Sequence, residues 1–372
     1  MIRFGKKSFF RISFGLFLLA STFASAQTEL SKGIEEKAFR YPLLKRLDNY
    51  LESRELSGVD TNYIGVPKRK WSVFLNTYLS RMDFNLSSRL AEGDDFGDKT
   101  GKLITQSVIN MHSKANKQIS LGLYYRGYGL SYSFNLGKGY NKDWSFAIYS
   151  SPVGGEFRYH STKKIKGDIE FKGADVKLDL TTGTAKMENF ILNAYYVFSP
   201  RKFSYSPAMN YSKIQKRSAG SFLAGLTLNR TRLRAYDPWL GYALGRVNHL
   251  NIQQFALGAG YGYNWVPMKG LTVHLSAIPM LLVTTKSNTE MKAAPDSDGW
   301  DTMQEPGQKD LFGAKMKLSF AHMFRHSVSY SAKDRYTFGA SVFYNYFKVG
   351  KHSDYYALSR DWSLRFFFAY RF

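Results

Sequence analysis

The sequence predicts an all-β protein, a transmembrane antiparallel up-and-down β-barrel of about twelve strands preceded by a short N-terminal periplasmic helical segment. Three observations support it: alternation of apolar and polar residues, an aromatic chain terminus and an export signal. Alternation dominates from residue 71 onward, which fits a wall between lipid and a polar lumen. Strands that face lipid must close into a barrel, because hydrocarbon offers no partner to unpaired backbone groups.

The last eleven residues show the alternation most clearly. One parity is apolar and the other is polar except at Ala369 and Phe367. The apolar parity consists of Trp362, Leu364, Phe366, Phe368, Tyr370 and Phe372. This pattern resembles the C-terminal assembly signal of bacterial outer-membrane barrels. We therefore expect Phe366, Phe368, Tyr370 and Phe372 to face lipid and to be recognised by the barrel-assembly machinery.

The N-terminus predicts an exported protein. Residues 1–26 begin with four basic residues, continue through a short apolar stretch and end on Ala24, Ser25 and Ala26. That order is typical of a secretory signal peptide, with cleavage before Gln27. The apolar stretch is shorter than the roughly 20 residues that a membrane-spanning helix needs. We expect the mature chain in the bacterial outer membrane.

The amino-acid composition limits the partners that the chain could bind and the class of protein to which it could belong. The net charge is +23, and removing the leader with its four basic residues leaves +19. For an exported chain the available polyanion is lipopolysaccharide, so we expect outer-membrane lipid and lipopolysaccharide as partners, and no nucleic acid. A mean hydropathy of −0.34 argues against a bundle of membrane-spanning helices. The absence of cysteine excludes disulfides and thiolate chemistry.

Residues 27–69 form a separate N-terminal segment. Leu43, Leu44, Leu47 and Leu51 recur at helical spacing among charged residues, which predicts a short amphipathic helix. We expect this segment in the periplasm, lying on the membrane or closing the lower mouth of the barrel.

Residues 70–372 form the barrel, and the pattern predicts twelve strands. They fall near residues 71–86, 117–137, 143–151, 155–171, 176–198, 203–212, 219–229, 252–266, 271–285, 313–330, 335–348 and 361–372. The apolar parity switches inside 117–137, and we attribute this to a β-bulge at Arg126 and Gly127.

Connection lengths are consistent with this count. Twelve strands place the long connections 87–116, 230–251, 286–312 and 349–360 outside the cell, and the turns 138–142, 267–270 and 331–334 inside. A thirteenth strand at Lys102–Met111 would reverse that order, so the segment is assigned to the first external loop. A count of fourteen stays open.

Specific residues resemble a known family. They are Asp60, Tyr63, Ile64, Lys70 and Trp71 at the first strand, Tyr125-Arg126-Gly127, Phe203-Ser204-Tyr205, and Lys216-Arg217-Ser218-Ala219-Gly220-Ser221. Together they are similar to the uncharacterised Bacteroidetes outer-membrane barrel family called domain of unknown function 4421. The resemblance implies location and barrel form, and no catalytic residue is carried over from it.

Motifs that suggest chemistry have structural explanations here. Gly258, Gly260 and Gly262 alternate within one strand, so we expect them to make room for an inserted segment rather than to bind phosphate. His322 and His326 lie roughly 13 Å apart in a strand, which disfavours zinc. His274 points into the lumen. Acids around Gly299 fail the EF-hand spacing. We therefore assign no catalytic residue, metal or cofactor.

The predicted lumen is polar and partly cationic. Its cations are Lys315, Lys317, Arg335, Arg365 and Arg371. Such a lining selects anions or is packed and paired with acids. We expect a small porin-like channel or transporter, or a structural envelope protein. The alternative is an outer-membrane lipid-modifying enzyme, whose Ser and His would come from neighbouring strands.

Overall fold

The computed structural model describes residues 42–55, 57–89, 106–126, 128–136, 141–149, 152–173, 176–244, 248–290, 319–350 and 355–372. Nearly all of them lie in one large antiparallel sheet. The signal-peptide prediction, with Ala24, Ala26 and Gln27, and the acidic loop around Gly299 lie outside the described residues.

The helices are α1 (Pro42–Glu55), α2 (Ser206–Met209) and α3 (Pro238–Ala243). The strands are β1 (Ile64–Gly65), β2 (Trp71–Arg89), β3 (Gln106–Ser113), β4 (Asn116–Tyr125), β5 (Tyr128–Asn135), β6 (Asn141–Tyr149), β7 (Val153–Thr162), β8 (Ile165–Lys172), β9 (Val176–Leu180), β10 (Ala185–Val197), β11 (Ile214–Gln215), β12 (Ala219–Ala235), β13 (His249–Met268), β14 (Leu271–Glu290), β15 (Phe320–Ala332), β16 (Tyr336–Gly350) and β17 (Tyr355–Arg371).

The sheet closes into a barrel through its last and first long strands. β17 pairs with β2 over its whole length, from Tyr355–Ser88 to Arg371–Ser72. β10 and β12 to β17 follow one another as antiparallel neighbours, and β10 also pairs with β7. We call the end where β2 begins and β17 finishes the terminal end, and the opposite end the loop end. The architecture is that of an outer-membrane β-barrel.

The wall forks at half height. Near the loop end, β2 pairs with β3, and β3 pairs with β8. Nearer the terminal end the same chain continues as β4 and β7, and two further strands, β5 and β6, lie between them, β5 pairing with β4 and β6 with β7. If β3–β4, β7–β8 and β9–β10 are each taken as one continuous strand, the described residues form twelve strands of the wall, ten of which reach the loop end.

The predicted total of twelve agrees with the structure, although two predicted strands are wrong. Segment 117–137 is two strands, because Tyr125 pairs with Tyr128 across a tight turn at Arg126, whose φ is +50°. No β-bulge lies there. Segment 203–212 is not a wall strand, because it folds into the lumen around α2.

Two connections also differ from the prediction. Segment Lys102–Met111, assigned to an external loop, contributes Gln106–Met111 to β3, which continues into β4 after a short break. Of the turn 138–142, predicted inside the cell, residues 138–140 lie outside the described residues; β5 ends and β6 begins away from the terminal end, because the turn at Arg126 reverses the chain one strand earlier. The connections after β12, β14 and β16, predicted outside the cell, all begin at the loop end.

The outer face of the wall is apolar. Alternate residues along the strands are exposed and large, including Leu121, Tyr132, Trp144, Phe146, Ile148, Phe222, Leu257, Trp265, Leu275, Val328, Phe338, Val342 and Phe366. Such a face suits lipid and would be costly in water. Among the residues that the structure describes, no helix is long and apolar enough to cross a membrane.

The C-terminal aromatic residues extend this outer face. Phe366 is exposed, while Phe368 and Tyr370 pack against Tyr336 and Phe372. Ring centroids lie 5.4 Å apart between Tyr336 and Tyr370. They therefore form an aromatic cluster at the terminal end of the wall.

The N-terminal segment is attached to the same end. Asp48 of α1 accepts hydrogen bonds from Tyr125, from Arg126 Nε at 2.7 Å and from Lys70 Nζ at 3.2 Å. β1 pairs with β11, which belongs to the connection between β10 and β12. The segment thus lies against the terminal end of the barrel.

Candidate functional site: a charged cavity in the barrel lumen

The lumen is filled at the terminal end by residues 203–211, which we call the plug. The plug belongs to the connection between β10 and β12 and contains α2. The side chains of Phe203, Tyr205 and Met209 are at most 2% exposed. Because the connection turns inward instead of crossing below the barrel, it blocks the terminal end of the lumen.

Aromatic and hydrogen-bonded contacts hold the plug in place. Tyr211 stacks on Phe367 with ring centroids 4.0 Å apart. Arg365 donates to the carbonyl of Met209 at 2.9 Å, and Arg371 donates to that of Tyr211 at 2.6 Å. These bonds satisfy buried carbonyls at and just after the end of α2.

One glycine of the predicted glycine run makes room for the plug. A Cβ at Gly262 would lie 2.8 Å from the Phe203 ring, so that ring occupies the space a side chain would take. Gly258 and Gly260 have a different cause, since a Cβ there would meet the backbone of β14 at 2.1 and 2.0 Å. The expected inserted segment is therefore the plug, and Gly262 accommodates it.

A second segment fills the loop end. The connection after β12 folds inward as α3, where Asp237 caps the helix by accepting from the Leu240 N–H at 3.2 Å. Leu240 and Tyr242 are at most 4% exposed. They join an apolar cluster with inward residues of neighbouring strands, which include Met82, Phe84, Ile109, Ile165 and Leu250. The lumen is thus apolar at this end, whereas the sequence predicts a polar lumen.

A cavity of about 160 Å³ lies between these two filled layers. On β2, Asn76 and Tyr78 line it, whereas Met82 and Phe84, farther toward the loop end, belong to the apolar cluster. Met209 and Asn210 of the plug line the opposite side. Its charged lining residues are Asp143, Glu156, Arg158, Arg325 and Arg365.

An ion pair crosses the lumen beside the cavity. Glu156 of β7 meets Arg325 of β15, with 2.7 Å between Oε2 and Nη2, and the two strands are not neighbours in the sheet. Arg325 is 1% exposed and also donates to Asn345 at 3.0 Å. Tyr149 donates to the other oxygen of Glu156 at 2.8 Å. Both charges are therefore paired, and Arg325 is desolvated while the Glu156 side chain stays 16% exposed.

A second pairing joins opposite parts of the wall. Arg158 of β7 bonds Asp143 of β6 at 3.1 Å and Asp361 of β17 at 3.0 Å. His160 Nδ1 lies 3.2 Å from Asp143. Arg158 thus forms ion pairs with two carboxylates.

Arg365 is bonded differently. Its Nη2 donates to the Met209 carbonyl, to Tyr211 Oη at 2.9 Å and to Ser341 at 3.1 Å. Its Nε has no hydrogen-bond partner among the described atoms, and neither has Oδ1 of Asn76, which lines the same cavity. Arg365 is only 9% exposed.

The predicted cationic residues do not all lie in the lumen. Arg365 and Arg371 are buried there, as expected. Arg335 is not, because it occupies the tight turn between β15 and β16 and its side chain is exposed. Lys315 and Lys317 lie outside the described residues.

The histidines also separate by location. His322 and His326 alternate with buried residues of β15 and so face outward, where the His322 ring stacks on Tyr346 with centroids 4.4 Å apart. His274 is fully buried under Tyr205 of the plug. The described residues contain no cluster of three or more potential metal ligands.

His274 belongs to a directed hydrogen-bond chain. Asn264 uses its Nδ2 to donate to Ser204 and Gln215, which turns its Oδ1 toward His274 Nδ1 at 2.7 Å. Nδ1 must then carry the proton, which leaves Nε2 as an acceptor 3.0 Å from Ser276 Oγ; the same hydroxyl lies 3.2 Å from the Arg325 carbonyl. A Ser–His–Asn relay of this kind can activate a serine, but here the plug covers it.

The comparisons with known proteins concern the family and the overall shape. The profile described as "Domain of unknown function (DUF4421)" matches residues 58–372. Outer membrane protease OmpT from Escherichia coli is 8% identical with a TM-score of 0.40, and the match covers 82% of this chain and 97% of OmpT.

Two further barrels are similar at comparable identity. The translocator domain of autotransporter NalP from Neisseria meningitidis is 11% identical with a TM-score of 0.32, over 95% of this chain and 99% of that chain. The outer membrane protein OprG from Pseudomonas aeruginosa is 11% identical with a TM-score of 0.27, over 82% and 99%. Among curated proteins, none matches the sequence.

Proposed function

The chain belongs to the DUF4421 family, a domain of unknown function, and because membership assigns no activity, we propose a function from the geometry: an outer-membrane transport barrel that is closed at rest and holds a small solute in its lumen. The observation that carries the proposal is the charged cavity between the plug and the apolar cluster.

The cavity suits a regulated solute site better than an open pore. A diffusion channel needs a continuous water path, whereas both ends of this lumen are packed with aromatic and aliphatic side chains. A purely structural barrel has no need of an internal cavity lined by five charged side chains. Transport through this lumen therefore requires movement of the plug and of α3.

Planar-bilayer conductance tests the closed state. Residues 204–210 are replaced by a Gly-Ser linker of equal length in one variant, residues 238–243 in a second, and both segments in a third. We expect no steady current from the wild type, little from either single variant and a stable current from the double variant. Heat-dependent gel mobility shows that each variant is folded.

Two results would reject this proposal. One is a steady current from the wild type, which would mean an open channel. The other is a folded double variant without current, because the inserted segments would then not be what closes the lumen.

An outer-membrane lipid-modifying enzyme is the second candidate, and the Ser276–His274–Asn264 relay favours it. The plug would have to leave the lumen before a substrate reached Ser276, which is 3% exposed. A fluorophosphonate probe tests this role. Labelling that is gained on removal of residues 204–210 and lost in Ser276→Ala would support the enzyme, and no labelling of the plug-free barrel would exclude it.

Export and location complete the proposal. We infer cleavage of residues 1–26, insertion by the barrel-assembly machinery, and contact with lipopolysaccharide at the loop end, in a Bacteroidetes outer membrane. N-terminal sequencing of the mature protein should begin at Gln27. A mature chain that still began at Met1 would contradict the leader.

A further inference from the structure

We propose that an anionic amphiphile enters the cavity sideways from the membrane, through a seam between β5 and β6, and that its head group binds Arg365. This inference rests on the proposed role of the cavity as a solute site and names the class of solute.

The seam is an interruption in the ladder of the wall. β5 pairs with β4, and β6 pairs with β7, but among the described residues no ladder joins β5 to β6. Consecutive strands joined by a short connection usually pair with each other. These two strands pair away from each other instead, which leaves two facing edges in the wall.

The cavity reaches the seam from inside the barrel. Asp143, Ser145, Phe146 and Ala147 of β6 line the cavity. Phe146 is 50% exposed and pairs with Phe157 of β7, which also lines the cavity. Because that edge of β6 is paired with β7, an opening from the cavity to the outer face would lie along the β5 edge.

An inward residue of β6, Ser145, is exposed. Ser145 has the inward parity of the buried Tyr149, yet its side chain is exposed. Ser133 of β5 lines the same cavity from the opposite strand. The inward residues on both edges are therefore polar, whereas the outward residues Phe134 and Trp144 are apolar and exposed.

This arrangement matches an amphiphile. Backbone groups on two free edges are costly in hydrocarbon unless a polar partner is present. An acyl chain outside would contact Phe146 and Trp144, while a polar head would lie inside the wall. Neither end of the lumen offers an equally open route, since both are packed.

The charges of the cavity select an anionic head. Arg158 and Arg325 already meet carboxylates of the wall, whereas the bonds of Arg365 go to a carbonyl, two phenols and a hydroxyl. Arg365 lines the same cavity, and among the described residues no carboxylate pairs with it. A carboxylate or phosphate would supply that partner through a charge-assisted bond.

Binding of radiolabelled decanoate to the protein in nanodiscs tests the proposal, with empty nanodiscs as background. The chain has no cysteine, so Ser145→Cys and, as a matched control on the outer face of the same strand, Ile148→Cys each give one thiol. Both variants fold first and are then modified with a bulky maleimide. Unmodified Ser145→Cys shows that any loss comes from blocking the seam.

We expect saturable binding of decanoate and about tenfold weaker binding of decanol, which lacks the charge. Modification of Ser145→Cys should lower decanoate affinity at least about tenfold, and modification of Ile148→Cys by less than about twofold. Equal affinity for decanol would reject the anionic head. Unchanged binding after blocking Ser145→Cys, or competition by acetate at the same concentration as decanoate, would reject lateral entry.

The outcome is separable from that of the conductance test. Decanoate binding is measured with the plug in place. Saturable binding, together with a folded double variant that carries no current, would therefore reject transport and retain the binding site. A conducting double variant without decanoate binding would reject the lateral amphiphile site alone.

Discussion

Breaking the ion pair between Glu156 and Arg325 should destabilise the barrel more than any surface charge change. Arg325 donates from Nε and Nη2 to both carboxylate oxygens of Glu156, at 2.7 to 3.1 Å, and is 1% exposed. Arg325→Met leaves Glu156 as a buried charge without its main partner. Glu156→Gln does the same to Arg325.

The magnitude follows from this burial. Removing one partner of a buried pair costs about 3 to 5 kcal/mol, mostly because the remaining charge is desolvated and uncompensated. Removing both charges leaves no such charge, so the double variant should be more stable than Arg325→Met alone. The exposed pair of Lys177 and Asp168, 3.7 Å apart, is the control, and Lys177→Met should cost less than about 1 kcal/mol.

Urea refolding titrations in lipid vesicles measure these free energies of unfolding. The decisive result is whether adding Glu156→Gln to Arg325→Met raises or lowers the free energy of unfolding. If Glu156→Gln further destabilises Arg325→Met, or if Arg325→Met costs no more than Lys177→Met, the pair does not contribute as a desolvated unit and the reasoning fails.

Four further predictions address other parts of the chain. Val342→Arg on the outer face should cost about 2 to 4 kcal/mol in the same titration if it lies near the midplane, against a near-neutral Val342→Leu. Gly262→Val should destabilise by about 1 to 3 kcal/mol through overlap with the ring of Phe203, and Phe203→Ala should relieve it; additive losses would contradict that contact. Burial alone would raise the pKa of Asp48, but hydrogen bonds from Tyr125, Arg126 and Lys70 outweigh burial and leave the pKa below 3.8. The stabilising contribution is therefore present above the unfolded pKa and lost as pH falls through the lowered one, so proteolysis of α1 should accelerate only in acid, and Asp48→Asn should remove the pH dependence. Deleting Phe372 should leave export intact and reduce the heat-modifiable barrel, and normal barrel amounts would refute its assembly role.

The sequence determined the wall of this protein by itself. Alternation has a period of two, so a strand such as β17 shows both its faces without knowledge of its partners, and Phe366 and Arg365 lie on the faces expected. The described residues also form the predicted number of strands, about twelve, because the tight turn at Arg126 adds one strand and the inward plug removes one. A bulge and a tight turn produce the same switch of parity, and only the pairing of Tyr125 with Tyr128 distinguishes them.

The interior depended on tertiary structure. Phe203 and Tyr205 alternate like strand residues, but their burial against β13 and β14 is set by the room at Gly262 and by ring contacts such as that of Tyr205 with His274. Two ion pairs bound the cavity. Glu156 and Arg325 are 169 positions apart in the sequence, and Arg158 and Asp361 are 203 positions apart. Parity could have marked Glu156 and Arg325 as inward, but not as partners. Period-two alternation is a local property, whereas the pairing of charges across a lumen depends on how the whole wall closes.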